Sequence, residues 1–254
     1  MKRELRELND ADLLRFSRQI MLPELDVAGQ ETLLNARVLI VGMGGLGSPA
    51  AMYLAAAGVG TLVIADHDDV ELSNLQRQIV HDTQSLGEPK VASAARTLAR
   101  LNPGVRVETV ASRLTPEWLA EQVGACDAVL DATDNFTTRY AVNDACWAAG
   151  TPLVSGAAIR WEGQIAVFDP RQPDAPCYRC LYREGSDEAL NCAENGVIAP
   201  LVGIIGACQA LETIKLLCGV GETLAGWVLY FDARHMDWRK LRLRRDPECP
   251  TCGG

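Results

Sequence analysis

The chain has 254 residues, of which 48% are hydrophobic and 22% are charged, and its formal net charge at pH 7 is −9. This composition is ordinary for a globular protein, and the negative charge argues against a general affinity for nucleic acid or an anionic membrane. The N-terminal sequence is charged throughout and lacks a signal-peptide pattern, so we expect a cytoplasmic protein. The longest apolar run, residues 197–211, is interrupted by Pro200 and is expected to be too short to span a bilayer.

The predicted elements alternate between helices and strands over most of the chain. Residues 1–36 are expected to be helical, with a break at Pro23. Apolar strands then alternate with helices, which are expected at residues 46–57, 89–100, 115–123 and 135–149. Because the strands are nearly continuous apolar runs, helices should cover both faces of the sheet. The pattern predicts an α/β fold with a Rossmann-like, doubly wound, mostly parallel sheet.

The pattern changes after residue 160. A strand outside the alternating series is followed by a polar segment, 171–196, that is expected to be a loop. A long apolar helix and a closing antiparallel pair of strands complete the chain. We therefore expect one domain over residues 1–254, with an N-terminal helical segment, a nucleotide-binding part and a C-terminal elaboration. The boundaries of these three parts are 1–36, 37–156 and 157–254.

A glycine-rich turn follows the first predicted strand. Gly42, Gly44 and Gly47 fit G-x-G-x-x-G, in which glycines permit a tight turn, a close approach of backbone to phosphate, and packing of helix on strand. Asp66 ends the next strand, where a carboxylate can hold a ribose hydroxyl. These features predict a nucleotide site, although a glycine turn that serves only helix packing has the same pattern.

Two cations follow the predicted ribose acid. Arg77 and Lys90 suit a triphosphate, whose charge they would offset, whereas hydride transfer needs no cation there. The alternatives are a solvated surface charge for Arg77 and an ordinary helix-start residue for Lys90, where a lysine is slightly unfavourable. An NAD(P)-binding oxidoreductase is the competing hypothesis from another class of function.

Acidic side chains follow the fourth predicted strand in the stretch DATDN. Ligands of open α/β sheets lie beyond the carboxyl ends of the strands, so Asp131, Asp134 and Asn135 should face the nucleotide. Asp134 is predicted to bind a Mg²⁺ ion that bridges phosphate oxygens. The alternative role for Asp134 is the N-cap of helix 135–149.

Four of the nine cysteines form two C-x-x-C pairs. Such a set suits tetrahedral Zn²⁺ with no open coordination position, which is a structural site, and the fold must bring the pairs together. A redox pair of disulfides is the alternative. The predicted ligands are Cys177, Cys180, Cys249 and Cys252.

Several stretches together resemble the MoeB/ThiF family, the prokaryotic relatives of the ubiquitin-activating enzymes. They are residues 16–60 (FSRQIMLPELDVAGQETLLNARVLIVGMGGLGSPAAMYLAAAGVG), SNLQRQ, DATDN, SGAAIRWEGQIAVF and the two cysteine pairs. The resemblance extends from about Leu14 to Cys252, and SGAAIRWEGQI and GVIAPLVGIIG are more similar to the MoeB branch. It implies ATP-dependent adenylation of the C-terminal glycine of a ubiquitin-like sulfur-carrier protein that ends in Gly-Gly.

For the MoeB branch the implied carrier is the small subunit of molybdopterin synthase, in molybdenum cofactor biosynthesis. A carrier of the thiamine pathway, or another sulfur carrier, is the alternative within the family, and a non-catalytic scaffold for such a partner is a further one. The resemblance also implies ATP as substrate, with Mg²⁺ and structural Zn²⁺. A homodimer is expected, as is a sulfur donor that acts in trans.

The resemblance assigns roles to individual residues. Gly45 would lie in the phosphate loop, and Asp66 would bind the ribose. The residues expected to contact phosphates or otherwise line the nucleotide site are Ser73, Asn74, Leu75, Gln76, Arg77, Lys90 and Asn135, with Asp134 on Mg²⁺. Arg18 would reach the γ-phosphate of the neighbouring subunit's ATP. Cys192 matches a cysteine that bonds covalently to the carrier in some relatives, and an idle exposed thiol is the alternative.

Overall fold

The structure is a computed structural model, and it describes residues 5–183, 185 and 196–253. Its helices are α1 (Asp10–Arg15), α2 (Ser17–Ile20), α3 (Asp26–Asn35), α4 (Gly47–Ala57), α5 (Lys90–Leu101), α6 (Pro116–Gly124), α7 (Phe136–Ala149), α8 (Tyr178–Leu181) and α9 (Ala199–Cys218). Its strands are β1 (Arg37–Val41), β2 (Thr61–Ala65), β3 (Arg106–Val110), β4 (Ala128–Asp131), β5 (Leu153–Ile159), β6 (Glu162–Phe168), β7 (Trp227–Asp232) and β8 (Asp237–Arg242).

All eight of these strands form one sheet in the order β3-β2-β1-β4-β5-β6-β7-β8. The first five pair in parallel, and β6, β7 and β8 are added antiparallel. The central strand β1 lies between β2 and β4, so the strand order reverses next to it. The predicted α/β fold with a mostly parallel sheet and an antiparallel C-terminal elaboration is therefore confirmed.

Two apolar layers cover the sheet. Ile40 of β1 packs in one cluster with Leu54 of α4 and Leu98 of α5, whereas Leu39 packs in the other with Leu119 of α6. Each of these side chains is at most 1% exposed. Burial of one such aliphatic side chain contributes about 1.5–3 kcal/mol, so the two layers hold the strand ends of β1 and β4 in place.

Helix α9 extends beyond the apolar run of the sequence. It has 20 residues and is long and apolar enough to cross a membrane by length and composition alone, as the core helices of globular proteins also can be. Pro200 does not interrupt the helix, because it lies in the first turn, where its missing N–H breaks no helical hydrogen bond. In the fold, α9 packs against β5, β6 and α4. Buried Gln209 of α9 donates to the carbonyl oxygens of Asp131 and Val154 at 2.8 and 3.1 Å.

The polar segment 171–196 is not loop throughout its described part. The short helix α8 occupies residues within it, directly after Cys177. Its first residue, Tyr178, is 1% exposed and packs in the aromatic core under the sheet. Burial of this aromatic side chain stabilises the helix, although the segment as a whole is polar.

Candidate nucleotide site and cysteine cluster

The glycine-rich turn joins β1 to α4 with almost no space for side chains. Gly42 has φ of +95°, and a Cβ atom there would meet the carbonyl oxygen of Ala132 at 2.7 Å. A Cβ on Gly47 would lie 1.9 Å from the carbonyl oxygen of Gly42. Only glycine fits these two positions, because one needs the left-handed region and the other a direct contact of helix and turn. Gly44 is different: a Cβ there would meet only the Gln78 side chain, at 3.6 Å.

This turn forms one wall of a cavity of about 400 Å³ at the carboxyl ends of the parallel strands. The cavity lies where the strand order reverses, which is where ligands bind in open α/β sheets. Among the predicted site residues, the structure brings Gly45, Asp66, Arg77, Lys90, Asp134 and Asn135 to its lining. The opposite wall comes from the antiparallel part, with Glu162, Gly163, Gln164, Tyr182 and Tyr230.

Asp66 and Lys90 are tied to their surroundings by short hydrogen bonds. The Asp66 carboxylate accepts from the backbone N–H of Met43 at 2.7 Å and of Asp68 at 2.9 Å, so it fixes the glycine turn. The Lys90 ammonium, with a side chain 7% exposed, donates to Asp68 at 2.8 Å. Partial burial acts to raise the pKa of Asp68, but the hydrogen bond and charge of Lys90 outweigh it, and the pKa lies below its ordinary value. The cation is thus held in a defined position at the cavity.

Residues 73–76, which precede Arg77, were expected to line the nucleotide site but do not. Ser73, Asn74, Leu75 and Gln76 are not part of the cavity lining, whereas Arg77 is. The Asn74 carboxamide accepts from the Glu71 N–H at 3.1 Å and shapes the turn, and Arg77 Nη1 donates to the Ser73 carbonyl at 3.1 Å. The segment therefore orients Arg77, and only Arg77 of these residues lines the cavity.

Three polar residues at the end of β4 and in the loop after it, all expected to face the nucleotide, have different environments. Asn135 is the N-cap of α7, since its side chain accepts from the Thr138 N–H at 2.8 Å; the alternative role of Asp134 as the cap is wrong. Asp134 is exposed and lines the cavity. Asp131 is 1% exposed, is absent from the cavity lining, and accepts from Thr133 and Ser155. The expectation that it faces the nucleotide is wrong, because its oxygens are used within the fold.

Sequence reasoning missed two buried groups beside the cavity. His81 spans the glycine turn and α5: its Nε2 lies 3.1 Å from the Met43 carbonyl oxygen and its Nδ1 lies 3.0 Å from Ser93 Oγ. Burial lowers the pKa of His81, so a neutral ring donates to the carbonyl and accepts from the hydroxyl. Arg139, 3% exposed, lines the cavity and donates to the carbonyl oxygens of Thr133 and Gly156. No spacing rule joins these residues, since His81 lies 38 residues from Met43 and Arg139 lies 17 residues from Gly156.

Arg18 and Cys192 stand apart from this cavity. Arg18 is exposed on α2, lies 4.0 Å from Met21 Sδ, and is absent from the cavity lining of its own chain. Cys192 lies outside the described residues, so its predicted role remains a prediction.

The two cysteine pairs meet, as the zinc prediction requires. All four sulfur atoms lie within 4.8 Å of one another. The Cys177–Cys249 and Cys180–Cys252 separations are 3.5 and 3.3 Å, too long for disulfide bonds of about 2.05 Å. Tetrahedral zinc with Zn–S bonds of about 2.3 Å requires sulfur atoms about 3.8 Å apart.

The protonation of these thiols also fits a cation. Hydrogen bonding from Cys177 lowers the pKa of Cys180 to about 5, whereas burial raises the pKa of Cys252 to about 12. A bound divalent cation would stabilise the thiolate form of all four side chains. The donor set and spacing fit structural Zn²⁺ and leave no position open for catalysis.

Fold and site together define an α/β nucleotide-binding protein with an antiparallel extension and a four-cysteine cluster. The chain matches the ThiF family over residues 16–251 and belongs to that family. It is 50% identical over 247 residues to the molybdopterin-synthase adenylyltransferase of Escherichia coli K12, covering 97% of this chain and 99% of that protein. It is 49% identical over 247 residues to the sulfur carrier protein ThiS adenylyltransferase of the same organism, covering 97% and 98%.

The fold also has solved counterparts. The crystal structure of Escherichia coli MccB with ATP matches with a TM-score of 0.81 and 24% identity, covering 94% of this chain and 73% of that one. At this identity the likeness is one of fold.

Proposed function

We propose that this protein is an ATP-dependent adenylyltransferase that activates the C-terminal glycine of a ubiquitin-like sulfur-carrier protein. The observation that carries the proposal is the cavity, which has a glycine turn and cations on one side and an antiparallel wall on the other. Two relatives of nearly full-length coverage are named as adenylyltransferases of this kind. The carrier would be the small subunit of molybdopterin synthase, and the thiamine-pathway carrier is the second candidate, since the two identities are 50% and 49%.

The nucleotide would lie with its ribose at Asp66 and its phosphates along the glycine turn. Arg77 and Lys90 would offset the triphosphate charge, which otherwise repels an attacking carboxylate, and they would stabilise the departing pyrophosphate. Asp134 would hold Mg²⁺, which supplies further charge neutralisation at the phosphates. No general base is needed, because the carboxylate of the carrier is already ionised at neutral pH.

The carrier tail would approach along the wall built by β6 and β7. Gln164 accepts a 2.6 Å hydrogen bond from the Tyr182 hydroxyl, and Tyr230 lines the same wall. Neutral hydrogen-bonding side chains suit an extended Gly-Gly tail, whose backbone offers donors and acceptors but no side chains. An in-line displacement requires the tail carboxylate to attack the α-phosphate from the side opposite to the departing pyrophosphate.

The assembly belongs to the same proposal. A homodimer would bring Arg18 of one subunit to the triphosphate of its partner, which accounts for an exposed arginine outside its own cavity. Zinc at the four cysteines would be structural, a cytoplasmic location suits free thiols, and the sulfur would come from another protein in trans.

The test is ATP–pyrophosphate exchange with a panel of carriers that end in Gly-Gly. Exchange that depends on one carrier and stops when its last glycine is deleted supports adenylation and identifies the substrate. ATP binding without exchange for any carrier of the panel would contradict the proposed activity and favour a non-catalytic scaffold.

A further inference from the structure

The cysteine cluster is connected to the nucleotide cavity by one buried side chain. Tyr178 lies between two of the clustered cysteines, Cys177 and Cys180, and is 1% exposed. Its hydroxyl lies 3.3 Å from Nη1 of Arg139, and its backbone N–H donates to Asn143 of α7 at 2.8 Å. Its ring packs against Phe168 with centroids 5.8 Å apart. The position of this tyrosine is therefore fixed by the cluster on one side and by α7 and the sheet on the other.

Arg139 continues the connection into the cavity. Its Nη2 donates to the carbonyl oxygens of Thr133 and Gly156, the latter at 3.1 Å, and its Nε lies 3.9 Å from Asp131. Thr133 directly precedes Asp134, so the guanidinium holds the loop that presents this carboxylate to the cavity. A guanidinium has a planar set of five donors, which lets one side chain hold a tyrosine hydroxyl and two carbonyl groups at once.

We infer that Arg139 is a positioning residue that couples the cysteine cluster to the nucleotide site. Tyr178 orients the guanidinium only while the cysteine cluster holds its metal, and the guanidinium sets the position of the Thr133–Asp134 loop. Metal retention and nucleotide binding then stabilise each other, because coupling between two binding sites is reciprocal. The inference rests on the proposed function, since it requires that the cavity binds ATP.

The experiment measures the zinc affinity of the intact protein by equilibrium competition with a zinc-selective indicator, with and without saturating MgATP. In the wild-type protein, MgATP should raise the zinc affinity by about 5-fold or more, the lower end of typical coupling. In Tyr178→Phe, which keeps the ring and removes the hydroxyl, the ratio of the two affinities should fall to about 1–2. Calorimetry of MgATP binding accompanies each measurement. The phenylalanine variant is chosen because removal of the buried Arg139 risks unfolding.

A matched control separates coupling from general loosening of the cluster. Thr251, between the other two cysteines, donates to Asp144 of α7 at 2.6 Å and makes no described hydrogen bond to Arg139. Thr251→Val should bind zinc more weakly in both conditions and keep the wild-type ratio. An unchanged ratio in Tyr178→Phe, or MgATP that binds the wild-type protein without raising its zinc affinity, overturns the inference. Absence of MgATP binding overturns the proposed function and the coupling with it.

Discussion

Replacement of Lys90 by methionine separates the contribution of this residue to catalysis from its contribution to stability. Lys90 is buried, but its partner Asp68 has a side chain 55% exposed, so solvent screens the pair. An ion pair of this kind contributes about 0–1 kcal/mol to the free energy of unfolding, and methionine retains the volume of the aliphatic part of the lysine side chain. The free energy of unfolding should therefore fall by at most about 1 kcal/mol. Carrier-dependent pyrophosphate exchange should fall about 100- to 1,000-fold, the usual loss for one transition-state contact.

The stability difference between the wild-type protein and Lys90→Met should also depend on pH. Because the pKa of Asp68 lies below its ordinary value of 3.8, the pair stabilises the fold above that pH and loses this contribution as the pH falls through the folded-state pKa. The difference in unfolding free energy between wild type and Lys90→Met should thus shrink below about pH 3.8. Denaturant unfolding at several pH values measures it.

Arg96→Met is the matched control for Lys90→Met. Arg96 lies on the same helix, α5, and pairs with Glu88 at 2.5 Å, but it is absent from the cavity lining. Its replacement removes an ion pair whose side chains are 54% and 40% exposed, and should leave exchange within about 2-fold of wild type. Exchange by Lys90→Met within about 3-fold of wild type, at unchanged stability, would refute the assignment of this cation to the triphosphate.

Three further predictions test the remaining assignments. Metal analysis should find one zinc per chain. Cys177→Ala should lower the zinc content and the unfolding temperature together, because the free energy of metal binding contributes to folding. Protein that is fully folded without metal would contradict this prediction. Mixing Arg18→Ala with Arg77→Ala protein should restore exchange through heterodimers that contain one intact composite site, and no recovery after subunit exchange would count against the trans role of Arg18. Cys192→Ala should keep exchange near the wild-type rate, whereas Asp134→Ala should lower it about 100-fold or more. Loss of exchange in Cys192→Ala together with normal exchange in Asp134→Ala would contradict the roles assigned to both residues.

The features that sequence reasoning found are those whose chemistry is local. The glycine turn is predictable because Gly42 and Gly47 meet each other across five residues, and each cysteine pair is a motif in itself. A second group that holds this turn, beside Asp66, is not predictable in the same way. His81 reaches the Met43 carbonyl from 38 residues away, and its Ser93 partner lies on α5. Such contacts depend on how β1 and α5 pack, which no spacing encodes.

Arg139 is a second cavity residue whose contacts could not be predicted from the sequence. In sequence it is one polar residue in the first turns of a helix, and a solvated position is the natural expectation for an arginine. Its partners Gly156 and Tyr178 lie 17 and 39 residues away, on β5 and α8. The burial of Asp131 was missed for the same reason, because its carboxylate accepts from Ser155 of the neighbouring strand, 24 residues away.

The reversal of the chain after β5 explains how a dinucleotide fingerprint is compatible with ATP and a polypeptide. A dinucleotide fold has two parallel halves, and the second half places another mononucleotide beyond further parallel strands. Here β6 runs antiparallel to β5, with Ile159 paired to Glu162 across a tight turn, so the parallel series stops at β5 within the described sheet. The edge that a second mononucleotide would use is lined by Gln164, Tyr182 and Tyr230. These side chains offer hydrogen bonds but no cation for a second phosphate, which favours a peptide tail there over the nicotinamide half of NAD.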